Sequence, residues 1–242
     1  NSLWAVFLFY KALNRKKMES NQTRCYRCVG AIRKMIKYGK TKSGKQRYIC
    51  RKCGKTRVEK YVYLAYKEEI NQNIIQLTKE GLGIRSTARL LKISTTTLLK
   101  RIVSIARKIN QPIICKGKTY EVDELCTYIR HKKNYIWLVY ALDKNSKTVV
   151  SFNVGKRTNR TLNRVLETLK LSDAKKIFTD RLKNYRYLID KKMHSVKRFG
   201  TNHIERKNLT LRTHLKRLNR RTICFSRSLA VFTAVLKIYF WI

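Results

Sequence analysis

The stretch Tyr135–Asp143 (YIWLVYALD) is almost wholly apolar, as expected of a β-strand that is buried on both faces of a sheet. Residues 144–147 (KNSK) have the composition of a turn, and residues 148–154 (TVVSFNV) predict the returning strand of a hairpin. Upstream, residues 118–129 (KTYEVDELCTYI) predict a further strand. The predicted sheet therefore starts with three consecutive strands.

The elements that follow alternate between helix and strand. Residues 161–171 predict an amphipathic helix, because apolar side chains recur there at helical spacing. These inward-facing side chains are Leu162, Val165, Leu166 and Leu169. Residues 176–179 (KIFT) predict a short strand that ends at Asp180, helical patterns follow, and residues 228–242 predict a buried terminal helix. This order predicts a mixed α/β sheet with flanking helices over residues 116–242.

The chain carries a large positive charge. Its 57 Lys and Arg residues outnumber 14 Asp and Glu residues, which gives a formal net charge of +43 at pH 7. A compact fold with this charge repels itself unless a polyanion neutralises it. The basic residues run along the whole chain, whereas a membrane anchor concentrates them in one cluster. We therefore expect a nucleic acid as the partner and no membrane association.

Residues 1–21 are interpreted as an uncertain extension before the first recognisable module. Residues 3–9 (LWAVFLF) are apolar, but no basic segment precedes them, and a helix needs about 20 residues to span a bilayer. Met18 lies close to the start of the first module. We expect no membrane span here.

Four of the seven cysteines form two Cys-x-x-Cys pairs, Cys25 with Cys28 and Cys50 with Cys53, separated by 21 residues. Each pair lets a tight turn direct two thiolates at one ion, so the two pairs complete a tetrahedral zinc site. Four cysteine ligands leave no open position, and the zinc is therefore expected to be structural. The spacing predicts a zinc ribbon over residues 22–58.

Glycines mark the turns of this predicted ribbon. Gly54 directly follows the second pair, where a residue free to adopt positive φ is needed, and Gly44 lies at a basic hairpin tip. The first pair is irregular, since Val29 precedes Gly30 and the glycine comes one residue late. The alternative interpretation is that the cysteines are redox-active or merely buried.

Residues 62–112 have the pattern of a helix-turn-helix DNA-binding domain. Residues 86–91 predict the first helix of the motif, Ile93 fills the turn, and Ser94 or Thr95 caps the second helix. The side chains predicted to face the core are Leu98, Leu99 and Ile102. The exposed face of the second helix suits a DNA major groove. It carries Thr96, Thr97, Lys100 and Arg101. The alternative is a plain helical hairpin in a structural domain.

Most acidic residues have ordinary explanations on helix surfaces, at caps and in turns. The remainder are Glu121, Asp123, Glu124, Asp180 and Glu205. Strand alternation places Asp123 on the same face as Glu121 and opposite Glu124. Asp123 lies in mid-strand, where a lone carboxylate is costly without a cation. Asp180 follows a strand at the end where open α/β sheets present their sites.

Acids on a central strand, on its neighbour and on a helix can together hold two magnesium ions, which act on the attacking and leaving oxygens of a phosphodiester. Glu205 is the acid on a helix, in a segment crowded with Arg and Lys. The alternative is that these acids form surface ion pairs with the abundant basic residues.

Residues 120–124 (YEVDE), 178–180 (FTD) and 202–206 (NHIER) resemble the acidic-triad segments of the insertion-sequence-one family of DDE transposases. A zinc ribbon followed by a helix-turn-helix is also similar to that family, and so are residues 208–228. The resemblance covers about residues 22–242. It also includes the short interval of 24 residues between the second and third acids of the triad.

The resemblance implies an RNase H-like catalytic domain that cleaves the ends of a transposable element with water and joins the freed 3′ hydroxyl to target DNA. Asp123, Asp180 and Glu205 would be the catalytic ligands of magnesium or manganese. Double-stranded DNA would be the partner, as element ends and as target. Bringing two ends together implies a homodimer or higher oligomer. The expected location is the prokaryotic cytoplasm, with nucleoid association when DNA is bound.

Basic residues close to Glu205 fit the same resemblance. Arg212 follows Glu205 by seven residues and shares its helix face, and related transposases have a basic residue at this interval. We expect Arg206, Lys207 and Arg212 to contact DNA. His203 and Asn208 are neighbours without an assigned role.

Two other functions are compatible with parts of the sequence. One is a domesticated or regulatory zinc-ribbon and helix-turn-helix protein that binds DNA without cleaving it. The complete set of Asp123, Asp180 and Glu205 disfavours it, because a pure binder has no use for them. The other is an RNase H-like nuclease that acts on structured DNA without strand transfer. The N-terminal recognition modules disfavour that function.

Overall fold

The structure is a computed structural model that describes residues 25, 27–28, 35–59, 63–67, 69–219 and 221–242. The chain divides into two compact units, Asn1–Tyr66 and Lys67–Ile242. The predicted extension over residues 1–21 and the irregular first knuckle at Val29 and Gly30 lie outside the described residues. The boundaries of the expected domains stay predictions.

The first unit contains an antiparallel sheet of three strands, β1 (Ile36–Lys40), β2 (Gln46–Ile49) and β3 (Thr56–Val58), in the order β1-β2-β3. The hairpin predicted around Gly44 is confirmed, with φ of +76° at that glycine. Gly54 has φ of +68°, as its position after the second cysteine pair predicts.

The second unit begins with three helices, α1 (Ile70–Lys79), α2 (Ile84–Leu90) and α3 (Thr95–Arg107). The Ser94 side chain accepts a hydrogen bond of 3.1 Å from the Thr97 amide, which confirms the predicted cap of α3. Ile93 is buried in the turn, as predicted. The predicted start of the first motif helix is wrong by two residues, because the extended backbone of Gly83 lets α2 begin at Ile84.

The large sheet of the second unit is mixed and has five strands. They are β4 (Thr119–Tyr128), β5 (Tyr135–Asp143), β6 (Val149–Gly155), β7 (Lys176–Phe178) and β8 (His194–Ser195). The spatial order is β6-β5-β4-β7-β8, with β4, β5 and β6 antiparallel and with β7 and β8 parallel to β4. The predicted mixed sheet of RNase H-like type is therefore confirmed.

The short strand β7 covers only part of its neighbour. It pairs with residues 119–121 of β4, and the last pair joins Glu121 to Phe178. Beyond Glu121 the same edge of β4 has no β7 partner. This end of the pairing decides where Asp180 lies.

Four further helices flank the sheet: α4 (Asn159–Leu171), α5 (Lys183–Leu188), α6 (Asn202–His214) and α7 (Leu229–Trp241). The four apolar side chains predicted to face inward from α4 are all buried, and they pack with Tyr120 and Val122 of β4 and with Tyr185 of α5. Glu121 and Asp123, which alternate with Tyr120 and Val122 along β4, accept hydrogen bonds from α6. Successive side chains of β4 therefore face two different helical layers, one on each side of the sheet.

The C-terminal helix α7 is buried, as predicted, through Phe232, Val235, Leu236 and Ile238. It packs against α1 and α3 as well as against β6. The Trp241 indole donates a hydrogen bond of 2.9 Å to the Val149 carbonyl of β6. One helix thus connects the helix-turn-helix with the large sheet.

None of the helices in the described part of the chain combines the length and the apolar character that crossing a bilayer requires.

Candidate metal centres

The four cysteines of the ribbon converge on one point. The sulfurs of Cys25 and Cys53 are 3.5 Å apart and those of Cys28 and Cys50 are 3.9 Å apart. All four sulfurs lie within 4.8 Å of one another. A tetrahedral zinc with bonds of about 2.3 Å places its sulfur ligands roughly 3.8 Å apart. The donor set and its spacing therefore fit structural zinc.

Backbone groups of the two cysteine turns favour thiolates. Hydrogen bonds from the backbone of Arg27 and Cys28 lower the pKa of Cys25 to about 6. Hydrogen bonds from the backbone of Cys53 and Lys52 lower the pKa of Cys50 in the same way. The Cys53 thiol, by contrast, raises the pKa of Cys28 to about 12. Since the thiolate is the form that binds metal, one cysteine of each turn is prepared for a cation.

Three carboxylates form a second cluster at the end of β7. Oxygens of Asp123, Glu124 and Asp180 all lie within 4.8 Å of one another. Asp180 comes two residues after β7 ends, beside the edge of β4 that β7 leaves uncovered. From this edge it approaches side chains on both faces of β4. The structure therefore brings Asp123 and Asp180 together, as expected, and adds Glu124, which strand alternation had set apart.

Asp123 is held in position by neighbours on β4, β5 and α6. Its Oδ1 accepts a hydrogen bond of 2.8 Å from the Glu124 amide, and its Oδ2 accepts one of 2.7 Å from Asn208 Nδ2. The Tyr140 hydroxyl donates to Asn208 Oδ1 at 2.9 Å and so fixes the orientation of that amide. Burial, with smaller contributions from Asp180 and Glu205, raises the pKa of Asp123 to about 6.

Glu124 is poorly compensated although it is buried. Its side chain is 2% exposed, and its nearest basic partner is Arg157, whose Nη2 is 3.8 Å from Oε2. In the part of the chain that the structure describes, Glu124 Oε1 and the Tyr185 hydroxyl are buried without hydrogen-bond partners. Burial and the charge of Asp180 raise the pKa of Glu124 to about 7. Burial and the Glu124 carboxylate in turn raise the pKa of Tyr185.

Glu205 lies in the first turn of α6 and is exposed. Its Oε1 accepts a hydrogen bond of 2.7 Å from the Thr201 hydroxyl. It is close enough to raise the pKa of Asp123. Among the described residues, however, it is not a member of the tight carboxylate cluster. The third acid of the expected triad therefore lies near Asp123, and its carboxylate is bonded to Thr201 at the N-terminus of its own helix.

Glu121 connects β4 to the start of α6. It is fully buried, its Oε2 accepts a hydrogen bond of 2.8 Å from the Ile204 amide, and its Oε1 lies 2.7 Å from His203 Nδ1. Lys144 Nζ is 3.4 Å from the same Oε1. A carboxylate at a helix N-terminus is stabilised by the free amides there. Glu121 thus fixes the helix that carries Glu205 against the strand that carries Asp123.

Sequence reasoning missed the roles of Glu121, Glu124, His203 and Asn208. The available signal was that Glu121 shares a strand face with Asp123 and so had to meet the same helical layer. The side chains of α6 that meet it could not be chosen from the sequence, because they depend on how the helix packs.

The residues expected to contact DNA lie on α3 and α6. Thr96 and Lys100 are exposed, Thr97 and Arg101 are half-buried, and Arg101 Nη1 donates to Asn71 Oδ1 at 3.4 Å. Arg206 on α6 is exposed, whereas Lys207 and Arg212 are half-buried. Burial lowers the pKa of Lys207. Their contacts with DNA stay predictions.

Two solved structures are similar to parts of the chain. The first is a simian T-cell lymphotropic virus intasome in complex with PP2A regulatory subunit B56 gamma, at 17% identity and a TM-score of 0.38, over 67% of this chain and 66% of that chain. The second is the HTLV-2 integrase catalytic core domain in complex with magnesium, at 18% identity and a TM-score of 0.35, over 53% and 86%.

Sequence comparison assigns the family. The family model of the IS1 transposase matches residues 113–242. The insertion element IS1 protein InsB of Shigella sonnei is 38% identical over 119 residues, which are 49% of this chain and 91% of that protein. The IS1 4 protein InsB of Escherichia coli (strain K12) is also 38% identical over 119 residues, which are 71% of its length. The chain belongs to the IS1 transposase family.

Proposed function

We propose that the chain is a DNA transposase that binds the ends of an insertion element, cleaves them by metal-assisted hydrolysis and joins the freed 3′ hydroxyl to target DNA. One observation carries this proposal. A chain of the IS1 transposase family has three carboxylates, from Asp123, Glu124 and Asp180, with oxygens within 4.8 Å of one another. Carboxylates are the ligands that magnesium prefers in proteins.

The residues present fit a magnesium or manganese site. Asp123, Asp180 and Glu205 would hold the cations. Glu124, which has one buried oxygen without a hydrogen-bond partner among the described residues, lies in the cluster that Asp123 and Asp180 form. Magnesium bound there would activate the attacking oxygen and stabilise the leaving oxygen of a phosphodiester. Asn208 orients the Asp123 carboxylate, and Glu121 holds the first turn of α6, which carries Glu205. A turn of the Glu205 side chain away from Thr201 would direct its carboxylate toward Asp123.

The chemistry takes two steps at phosphorus. In the first, the oxygen of a water molecule attacks, the bond to the 3′ oxygen breaks, and the element strand keeps a 3′ hydroxyl. In the second, that hydroxyl oxygen attacks a target phosphorus and the 3′ oxygen of the target leaves. Arg206, Lys207 and Arg212 on α6 would hold DNA phosphates near the carboxylates, and Thr96, Thr97, Lys100 and Arg101 on α3 would read the element end.

The ribbon and the assembly complete the proposal. Cys25, Cys28, Cys50 and Cys53 would bind one structural zinc that stabilises the ribbon. Two element ends must meet in one complex, so the active form would be a homodimer or a higher oligomer on double-stranded DNA.

The test is to incubate the full chain with the DNA ends that flank its gene, a plasmid and magnesium, and to search for joined products. Wild-type protein and D173N should give them, since Asp173 is an exposed acid that pairs with Lys116. D123N should give none. Joining by D123N would contradict the proposal. Bound ends without cleavage by any variant would instead support the regulatory DNA-binding alternative.

A further inference from the structure

The carboxylate cluster contains Glu124, an acid that is not a member of the proposed triad. We propose that Glu124 is a direct ligand of the divalent cation that Asp123 and Asp180 hold. The inference rests on the proposed function and extends it, because it assigns a further carboxylate to the same metal site. Two observations carry it: the position of the Glu124 carboxylate and, among the described residues, the missing hydrogen-bond partner of its Oε1.

The position follows from the end of β7. Asp123 faces α6, whereas Glu124 faces α5 on the other side of the sheet. In the interior of a sheet, two such neighbouring side chains could not reach the same cation. Here β7 pairs with β4 only as far as Glu121. Asp180 therefore lies at the open edge, and carboxylate oxygens from both faces of β4 reach within 4.8 Å of it.

Among the described residues, Glu124 has fewer hydrogen-bond donors around it than Glu121 on the same strand. Glu121 is buried, and three donors surround it, from Ile204, His203 and Lys144. The Glu124 side chain is 2% exposed, yet in the described part of the chain its Oε1 has no hydrogen bond of normal geometry, not even from the Tyr185 hydroxyl that faces the carboxylate. Leaving a buried carboxylate oxygen unsatisfied is costly. The Glu124 carboxylate lies in a cluster of acids, where a bound cation would satisfy it.

The basic neighbour of Glu124 is not a full substitute for a cation. Arg157 Nη2 is 3.8 Å from Oε2, which is longer than a hydrogen bond, and its guanidinium lies 4.5 Å from the centre of the Trp137 ring. Arg157 therefore offsets only part of the charge of the Glu124 carboxylate, which has an oxygen within 4.8 Å of oxygens of Asp123 and Asp180. Three oxygens from separate carboxylates are a suitable partial shell for magnesium or manganese.

The experiment measures Mn²⁺ binding to the full-length protein, without DNA, by electron paramagnetic resonance. E124Q keeps the shape of the side chain and removes its charge. We expect its dissociation constant for Mn²⁺ to rise by about tenfold or more. E167Q is the matched control, because Glu167 is an exposed glutamate on α4 that accepts a hydrogen bond from Asn163. Its Mn²⁺ affinity should equal that of wild type.

Thermal unfolding separates a ligand from a structural ion pair. If Glu124 is a ligand, E124Q relieves repulsion among three acids, so it should raise the melting temperature in magnesium-free buffer and reduce the further increase caused by Mn²⁺. If Glu124 serves only to pair with Arg157, E124Q should lower the metal-free melting temperature and leave Mn²⁺ binding unchanged. Unchanged Mn²⁺ affinity in E124Q overturns the inference.

The proposed function and this inference fail in different ways. If D123N abolishes joining while E124Q binds Mn²⁺ as tightly as wild type, the transposase proposal stands and the role of Glu124 is wrong. If D123N joins DNA normally, the proposed function itself fails, whatever E124Q does.

Discussion

The two candidate metal centres are assembled in different ways. The cysteine centre takes its ligands from two Cys-x-x-Cys pairs, one before β1 and one between β2 and β3. The carboxylate centre takes Asp123 and Glu124 from a strand and Asp180 from the loop after another, with Glu205 nearby on a helix. Local turn geometry therefore determines the first centre, and tertiary packing determines the second.

The electrostatics of the two centres differ as well. Backbone hydrogen bonds lower the pKa of Cys25 and Cys50, so these two thiolates form readily, whereas the neighbouring Cys53 thiol raises the pKa of Cys28 to about 12. Burial raises the pKa of Asp123 to about 6 and that of Glu124 to about 7, so these carboxyls lose their protons only at higher pH than ordinary carboxyls do. The backbone therefore prepares two thiols of the ribbon for a metal, whereas the carboxylates of the acidic centre repel one another until a cation is bound.

The largest expected effect is on strand joining. D180N should reduce joining at least roughly 100-fold, because it removes a proposed metal ligand, and DNA-end binding should remain largely intact. E205Q should act in the same direction if Glu205 turns toward Asp123. Joined products quantified on gels, together with end binding by mobility shift, provide the measurement. Full activity of D180N would show that the acidic centre is not catalytic.

The next effect concerns the cysteine centre. C50S should release zinc, unfold the ribbon and weaken end binding, since the site and the small sheet depend on the same ligand. C115S is the control, because Cys115 is an exposed cysteine outside the cluster. Zinc content per protein chain and circular dichroism would report the change. Absence of zinc from purified wild-type protein would rule out the four-cysteine interpretation.

A smaller effect distinguishes the two buried glutamates of β4. E121Q should destabilise the protein by on the order of 2 kcal/mol, because it weakens charged hydrogen bonds to Ile204 and His203. A loss of this size lowers the melting temperature by several degrees, whereas E124Q should raise it in magnesium-free buffer. Calorimetry on both variants would show the opposite signs. Equal shifts would mean that the two glutamates have the same structural role.

The smallest effect is the pH dependence of stability in magnesium-free buffer. The folded-state pKa values of Asp123 and Glu124, about 6 and about 7, lie above the ordinary values of 3.8 and 4.5. The folded chain therefore binds these protons more tightly than the unfolded chain, so their contribution to stability is lost as the pH rises from about 4 to about 7. The double variant D123N/E124Q should show a flatter profile of melting temperature against pH. A profile as steep as that of wild type would assign the dependence to other groups.

Much of the fold was predictable because the spacing of apolar residues along the chain indicates which side chains are buried. Tyr135–Asp143 is apolar throughout and forms β5 with these bounds, and the inward side chains of α4 follow from helical spacing. The cap at Ser94 follows from local side-chain chemistry. These features depend on neighbours a few residues away, which the sequence contains directly.

The sequence by itself determined the cysteine set, the strands of the central hairpin and the acids that deserved attention. Only the tertiary structure decided which acids meet. Glu124 joins Asp123 and Asp180 because β7 stops at Phe178 and leaves the edge of β4 open. Glu121 meets the start of α6 because that helix packs on the other face of β4. Spacing determines contacts within a turn, whereas contacts between distant segments depend on where a neighbouring strand ends and how a helix packs.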